Sequence, residues 1–153
     1  MRKVILTAAI CGETTKEDSP HVPYTPREIA ESAIEAGRVG ASIAHLHARD
    51  EKGRTSFAAS VYSDIVERIR SESDIVINCT TGGNTFEEKI DVLKISPEIA
   101  TLNCGSANLR KKVMLNTPEE LDRTAREMRD RGIKPELMIH SQGFVKNAVD
   151  LIS

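Results

Sequence analysis

No apolar run in this chain approaches the length of a membrane span. Val4-Ile5-Leu6 and Ile75-Val76-Ile77, among the longest, fall far below the roughly 20 residues that a transmembrane helix requires. The N-terminus has no signal-peptide layout, so a soluble, cytoplasmic protein is expected. A surplus of basic residues is also missing: the net charge is −2, and the signs are mixed along the sequence rather than gathered in runs. That excludes an electrostatic footprint for nucleic acid. Cysteine is scarce, and its odd count of 3, in a chain without secretory features, argues against a disulfide framework and for a reducing compartment. No G-x-G-x-x-G follows a strand, and no Gly-Lys-Ser/Thr closes a phosphate loop, so neither a nicotinamide cofactor nor a Walker-type nucleotide site is supported.

What the chain does have is alternation. Its 153 residues suffice for one domain, 1–153, that buries roughly 70% of its unfolded surface. Val4 to Ala9 reads as a first strand buried on both faces. Thr25 caps a helix that starts at Pro26, carries Glu28 three positions after the cap, and ends at Gly37 or Gly40. Ala41 to His47 is a second strand, followed by a polar turn at Asp50 to Gly53 and an amphipathic helix through Val61, Ile65, Val66 and Ile69. Asp74 to Cys79 is a third strand, Thr85 to Leu93 a helix, and Ile99 to Asn103 a fourth strand. Thr117 to Arg131 is the clearest helix, with Thr117 as cap, Pro118 at its first position and Gly132 at its end. Glu136 to Ile139 makes a fifth strand, and an apolar tail runs from Phe144 to Ile152. Such alternation predicts a parallel sheet with right-handed crossovers, either doubly wound or of the TIM (β/α)₈-barrel type. A complete barrel takes about 250 residues, so the chain would hold only the first four to five β/α units, a half barrel.

Sites on parallel sheets lie at the carboxyl ends of the strands. Those ends carry Cys11-Gly12-Glu13, His45-Leu46-His47, Thr80-Thr81-Gly82-Gly83, Asn103-Cys104-Gly105-Ser106 and His140-Ser141. The period of two along a strand sends His45 and His47 to one face, with Cα atoms about 6.5 Å apart. Two neutral imidazoles converging there suit Zn²⁺, with a further protein ligand and an open position completing a catalytic site. An isolated H-x-H is more often a packed or solvated pair, but the end of a buried strand is a poor place for two such residues unless they serve a site. Gly82 and Gly83 allow close backbone approach and expose amide N–H groups to an anion; a plain strand-to-helix turn would read the same way. Glu13 could meet a cationic group or stand as a solvated loop carboxylate. Cys11, Cys79 and Cys104 suit small buried hydrophobes. His21 receives no role, and His140 could reach toward a central ion from the fifth strand.

These blocks together, I-L-T-A-A-I-C-G from Ile5, G-A-S-I-A-H-L-H-A-R-D from Gly40, T-T-G-G-N from Thr80, A-T-L-N-C-G-S-A-N from Ala100 and G-I-K-P-E-L from Gly132, run in order along nearly the whole chain. They resemble the β-keto acid cleavage enzyme family. The resemblance implies a TIM barrel binding one divalent metal, usually zinc, through His45 and His47 plus a glutamate from the barrel's second half. It implies a retro-Claisen exchange in which a β-keto acid, such as the 3-keto-5-aminohexanoate of lysine degradation, and acetyl-CoA give acetoacetate and a new acyl-CoA. Thr80 then belongs to the proton-handling group beside the substrate, Glu13 faces the substrate's far end and recognises an amino group, and Asn103 and Ser106 lie on the substrate side of the fourth strand. The third metal ligand and an arginine–aspartate pair that assists deprotonation have no counterpart here. After P-E-L the chain reads Met138-Ile139-His140-Ser141, where the family commonly has an acidic residue and an aspartate. A half barrel leaves two edge strands to cover, so pairing into a homo-oligomer or with a separate second half-barrel is expected. The competing readings are an inactive truncated fragment and another metal-dependent aldolase or lyase barrel, such as the hydroxymethylglutaryl lyase group.

Overall fold

Strand and helix alternate through the computed structural model, which describes residues 3–50, 52–109 and 112–152. The chain divides into two compact units, Met1–Thr80 and Thr81–Ser153.

The first unit holds β1 (Thr7–Ala9), α1 (Pro26–Arg38), β2 (Ile43–Leu46), β3 (Ala48–Arg49), β4 (Thr55–Ser56), α2 (Ala59–Arg70) and β5 (Val76–Cys79). β1 and β5 both pair with β2 in parallel, which places Ala9, His45 and Asn78 in one row across the sheet. β3 and β4 form a small antiparallel hairpin whose turn is closed by Asp50: its Oδ1 accepts from the Lys52 and Arg54 amides, both at 2.9 Å. Glu51, inside that turn, lies outside the described residues. The core is aliphatic, with Ile29, Ala33, Ile34, Ala44, Leu46, Ile65, Ile69 and Ile77 all buried. Ile29 and Ala33, and Ile65 and Ile69, are four residues apart, which puts each pair on one helix face. Tyr62 is buried among them, and its hydroxyl is satisfied by the Ala48 amide at 3.2 Å.

The second unit holds α3 (Phe86–Leu93), β6 (Ile99–Asn103), β7 (Ala107–Leu109), β8 (Lys112–Met114), α4 (Pro118–Asp130), β9 (Lys134–Met138) and α5 (Gln142–Ile152). β6 and β9 are parallel, and β7 and β8 form an antiparallel hairpin. Leu93, Ala100, Leu102, Leu121, Met128 and Ile133 make its main core. Lys89 is buried there, with its ammonium donating to the Leu115 carbonyl at 2.6 Å and paired with Glu120 at 3.3 Å.

The expected helix starts are built as read. Thr25, Thr85 and Thr117 each accept from the amide three residues on, and Glu28, Glu88 and Glu120 each reach back to the cap. Each such cap contributes about 1 kcal/mol. α1 passes through Gly37, and the break falls at Gly40, whose φ of 108° only glycine adopts freely. The expected apolar tail is the helix α5. Five β/α units are therefore present among the described residues, the parallel α/β fold of a TIM-type barrel's first half. None of their helices is long and apolar enough to cross a membrane.

The first strand departs from expectation. Val4, Ile5 and Leu6 are 83%, 75% and 56% exposed and lie outside β1. Burial on both faces of a strand comes from layers packed above and below the sheet, and the exposure of Val4 to Leu6 shows that they have no such cover among the described residues. This apolar run leads into a three-residue strand at the edge of its unit's sheet rather than forming a core strand.

Candidate functional site

Along β2 and the residues that follow it, burial alternates with the period of the strand. Ala44, Leu46 and Ala48 are buried on one face, while His45 and His47 stand partly open on the other. Their Nε2 atoms approach to 3.1 Å, with the rings edge to face and centroids 5.1 Å apart. Two nitrogens bound at 2.0–2.1 Å to a tetrahedral Zn²⁺ stand about 3.3 Å apart, so this spacing needs almost no adjustment to serve one ion. Burial, the neighbouring His45 and the Arg49 cation hold the His47 pKa down to about 4. The ring is neutral near pH 7, the form a metal requires. Among the described residues no cluster of three or more His, Cys, Asp and Glu side chains gathers to hold a metal. The imidazole pair therefore offers two donors, spaced as two ligands of one ion would be, and the described residues add no third.

Glu13 follows β1 on a turn where Thr14 N donates to Cys11 O at 3.2 Å. Its carboxylate is exposed and makes no hydrogen bond or ion pair among the described residues. The turn around it is firmly held. Cys11 donates its thiol to the His47 carbonyl at 3.1 Å, and the buried Arg49 donates to Gly12 O at 3.0 Å and Thr14 O at 2.6 Å. Thr80 closes the unit: it is buried at the end of β5, its amide donating to the Leu46 carbonyl at 3.2 Å.

In the second unit the glycine turn is partly committed to structure. Thr81 is locked to Thr101, donating its amide to the Thr101 hydroxyl at 2.9 Å and its own hydroxyl to the Thr101 carbonyl at 2.6 Å. A methyl at Gly83 would stand 2.7 Å from Glu88 Cβ, so this glycine is set by packing onto the helix start. Directly after the glycine pair, the Asn84 and Thr85 amides both donate to Glu88 Oε2. Gly82 remains exposed. Asn103 is buried at the end of β6, with its Oδ1 3.3 Å from His140 Nε2. Ser106 is exposed, and its hydroxyl bridges the hairpin: it accepts from Asn116 N at 2.9 Å and donates to Asn116 O at 3.2 Å.

Several supporting residues escaped the sequence reading. Asn78 is buried beside His45 in register, and its place in D-I-V-I-N-C, two residues before Thr80, is a signal that strand periodicity could have used. Arg49, Tyr24 and Gly53 form a cluster around the Glu13 turn that no local pattern announces. Cys11, Cys79 and Cys104 are buried, and no disulfide joins them.

A family model described as beta-keto acid cleavage enzyme matches residues 3–153. A 3-keto-5-aminohexanoate cleavage enzyme of Fusobacterium nucleatum is 38% identical over 97% of this chain and 57% of its own length. A 3-dehydrocarnitine:acetyl-CoA trimethylamine transferase of Rhizobium meliloti is 38% identical over 94% of this chain and 57% of its own. The chain therefore spans a little over half the length of these curated relatives. Among solved structures, a ternary complex of ObcA with C4-CoA adduct and oxalate superposes with a TM-score of 0.76 at 22% identity. It covers 87% of this chain and 34% of that one, a likeness of fold.

Proposed function

The chain belongs to the β-keto acid cleavage enzyme family, and on that footing we propose that it carries the metal-binding part of an enzyme exchanging acyl groups between a β-keto acid and acetyl-CoA. In this exchange the bond between the keto carbon and the adjacent carboxylate-bearing carbon breaks. The acyl group passes to the CoA sulfur, and the released two-carbon unit takes up the acetyl group to become acetoacetate. The observation that carries the reading is the 3.1 Å approach of the two Nε2 atoms of His45 and His47. A zinc ion held there supplies a Lewis acid for a keto oxygen.

The chain's own residues take the remaining roles. His45 and His47 bind as neutral imidazoles. Thr80, at the strand end, handles a proton, while Gly82, Gly83, Asn103 and Ser106 contact the substrate. At Ser106 the hydroxyl already bridges Asn116, so what it offers a ligand is its second acceptor lone pair. Glu13 receives the substrate's far end. The unpaired, exposed state of its carboxylate supports a cationic group there, and two relatives named for amino or trimethylamine substrates fit that charge. Degradation of an amino acid such as lysine is the corresponding setting, in the cytoplasm. The exposed side chains of Val4, Ile5 and Leu6 support association with another polypeptide, a second copy or a second half-barrel.

Zinc content tests the reading. Purified protein should retain metal that a His45→Ala/His47→Ala variant of the same fold loses; equal metal in both defeats it. Formation of acetoacetate from acetyl-CoA and a β-keto acid, measured on the chain in whatever assembly it forms, tests the reaction itself.

A further inference from the structure

Arg49 is the most unusual side chain of the first unit. The residue is only 4% exposed, yet no carboxylate lies within ion-pairing distance of its guanidinium among the described residues. Instead it donates to three backbone carbonyls, Gly53 O at 2.7 Å, Gly12 O at 3.0 Å and Thr14 O at 2.6 Å, and its Cζ stands 4.7 Å from the centre of the Tyr24 ring. Nε finds no partner among the described residues. Burying a cation without a counter-charge is costly, and a staple that served only the core could be made of neutral groups.

Two of the three carbonyls belong to the residues on either side of Glu13. Nη2 grips the two carbonyls that bracket Glu13, those of Gly12 and Thr14, while Nη1 holds Gly53 O, a three-point span that a planar guanidinium can offer and a compact ammonium cannot. The grip does nothing for the Glu13 side chain itself, which stays exposed and unpaired. Its effect is to fix the backbone from which that carboxylate projects. The entropy of ordering the turn is then spent on folding rather than on binding. Gly12, with φ of 53°, supplies the left-handed step that turns both carbonyls toward β3. The fork itself is held from behind by the Gly53 carbonyl and by the Tyr24 ring, whose hydroxyl accepts from Lys16 N at 2.8 Å.

We propose that Arg49 is a positioning residue for Glu13, setting where that carboxylate stands for the cationic end of a substrate. This rests on the reading of Glu13 given above, and the experiment separates the two. Amide hydrogen exchange at Thr14 should be at least tenfold faster in Arg49→Met than in wild type, while exchange across Val61, Ile65 and Ile69 stays unchanged. Arg49→Lys, which keeps the charge and loses the fork, should fall between them, and it carries the comparison if the methionine variant does not fold. In parallel, binding of 3-aminobutyrate is compared with that of butyrate. Glu13→Gln and Arg49→Met should each abolish the preference for the aminated probe, and the double variant should lose no more than either alone. Unchanged Thr14 exchange in a folded Arg49 variant, or additive losses of binding, would overturn the positioning role. A loosened Thr14 with no effect of Glu13→Gln on binding would uphold the positioning of the turn and defeat the reading of Glu13.

Discussion

Gly53 lies so close to Tyr24 that a methyl added at residue 53 would overlap the Cε2 and Cδ2 atoms of the ring. The same residue has φ of 75°, so it is glycine for two reasons at once. Gly132, with φ of 69°, has open space where its methyl would stand. Gly132→Ala should therefore cost only the left-handed conformation, about 1–2 kcal/mol. Gly53→Ala should cost that plus the displacement of Tyr24, roughly another 1–3 kcal/mol as for overpacking. Urea unfolding of both variants checks the difference, and equal losses would show that the ring yields freely.

Thr101 should matter through its oxygen rather than its shape. Thr101→Val keeps the volume but leaves the buried Thr81 amide without its acceptor, at a cost of about 1–3 kcal/mol. Thr101→Ser keeps the acceptor and loses one methyl, about 0.8 kcal/mol. Denaturant midpoints should rank wild type, serine, valine; valine equal to wild type would mean that the Thr81 amide finds another partner.

How much of this was legible beforehand depends on the range of the interaction. The helix starts at Thr25, Thr85 and Thr117 were readable because a capping box spans three residues and uses one chemistry. The convergence of His45 and His47 was readable because the period of a strand fixes it locally. The exposure of Val4 to Leu6 was not, since composition reports what a strand could bury and only the layers packed above and below the sheet decide what covers it. The Arg49 grip was hidden for a related reason. Its partners Gly12 and Thr14 lie 37 and 35 residues away in sequence, and they contribute carbonyls, which every residue has. The commitment of the Asn84 and Thr85 amides to Glu88 follows from the capping box at Thr85, whose carboxylate takes the two amides that come directly after the glycine pair.

Acid should weaken the first helix in a defined window. The Thr25 amide, then the Tyr24 amide, donate to the Glu28 carboxylate and hold its pKa down to about 2 from an ordinary value of 4.5. The folded pKa is the lower one, so the contribution is complete above about pH 4.5 and fades as pH falls through about 2. The carboxylate is largely exposed, so solvent screening limits the effect to about 1 kcal/mol, the size of a capping bond. Unfolding free energies measured from pH 6 down to pH 2 should fall less steeply in Glu28→Gln than in wild type. Parallel curves would show that the box does not depend on charge.

Metal binding should register as stability, because the folded strand presents both imidazoles to one ion and the unfolded chain does not. Added zinc at 100 times its dissociation constant stabilises a single-site protein by about 2.7 kcal/mol, a rise in melting temperature that a chelator should reverse. His45→Ala and His47→Ala should each abolish most of the rise, since either leaves one imidazole. His21→Ala and His140→Ala should keep it: His21 is exposed, and His140 turns its Nε2 toward Asn103 Oδ1. A zinc-induced rise that survives in the His45→Ala/His47→Ala double variant would place the ion elsewhere and leave the pair as two packed rings.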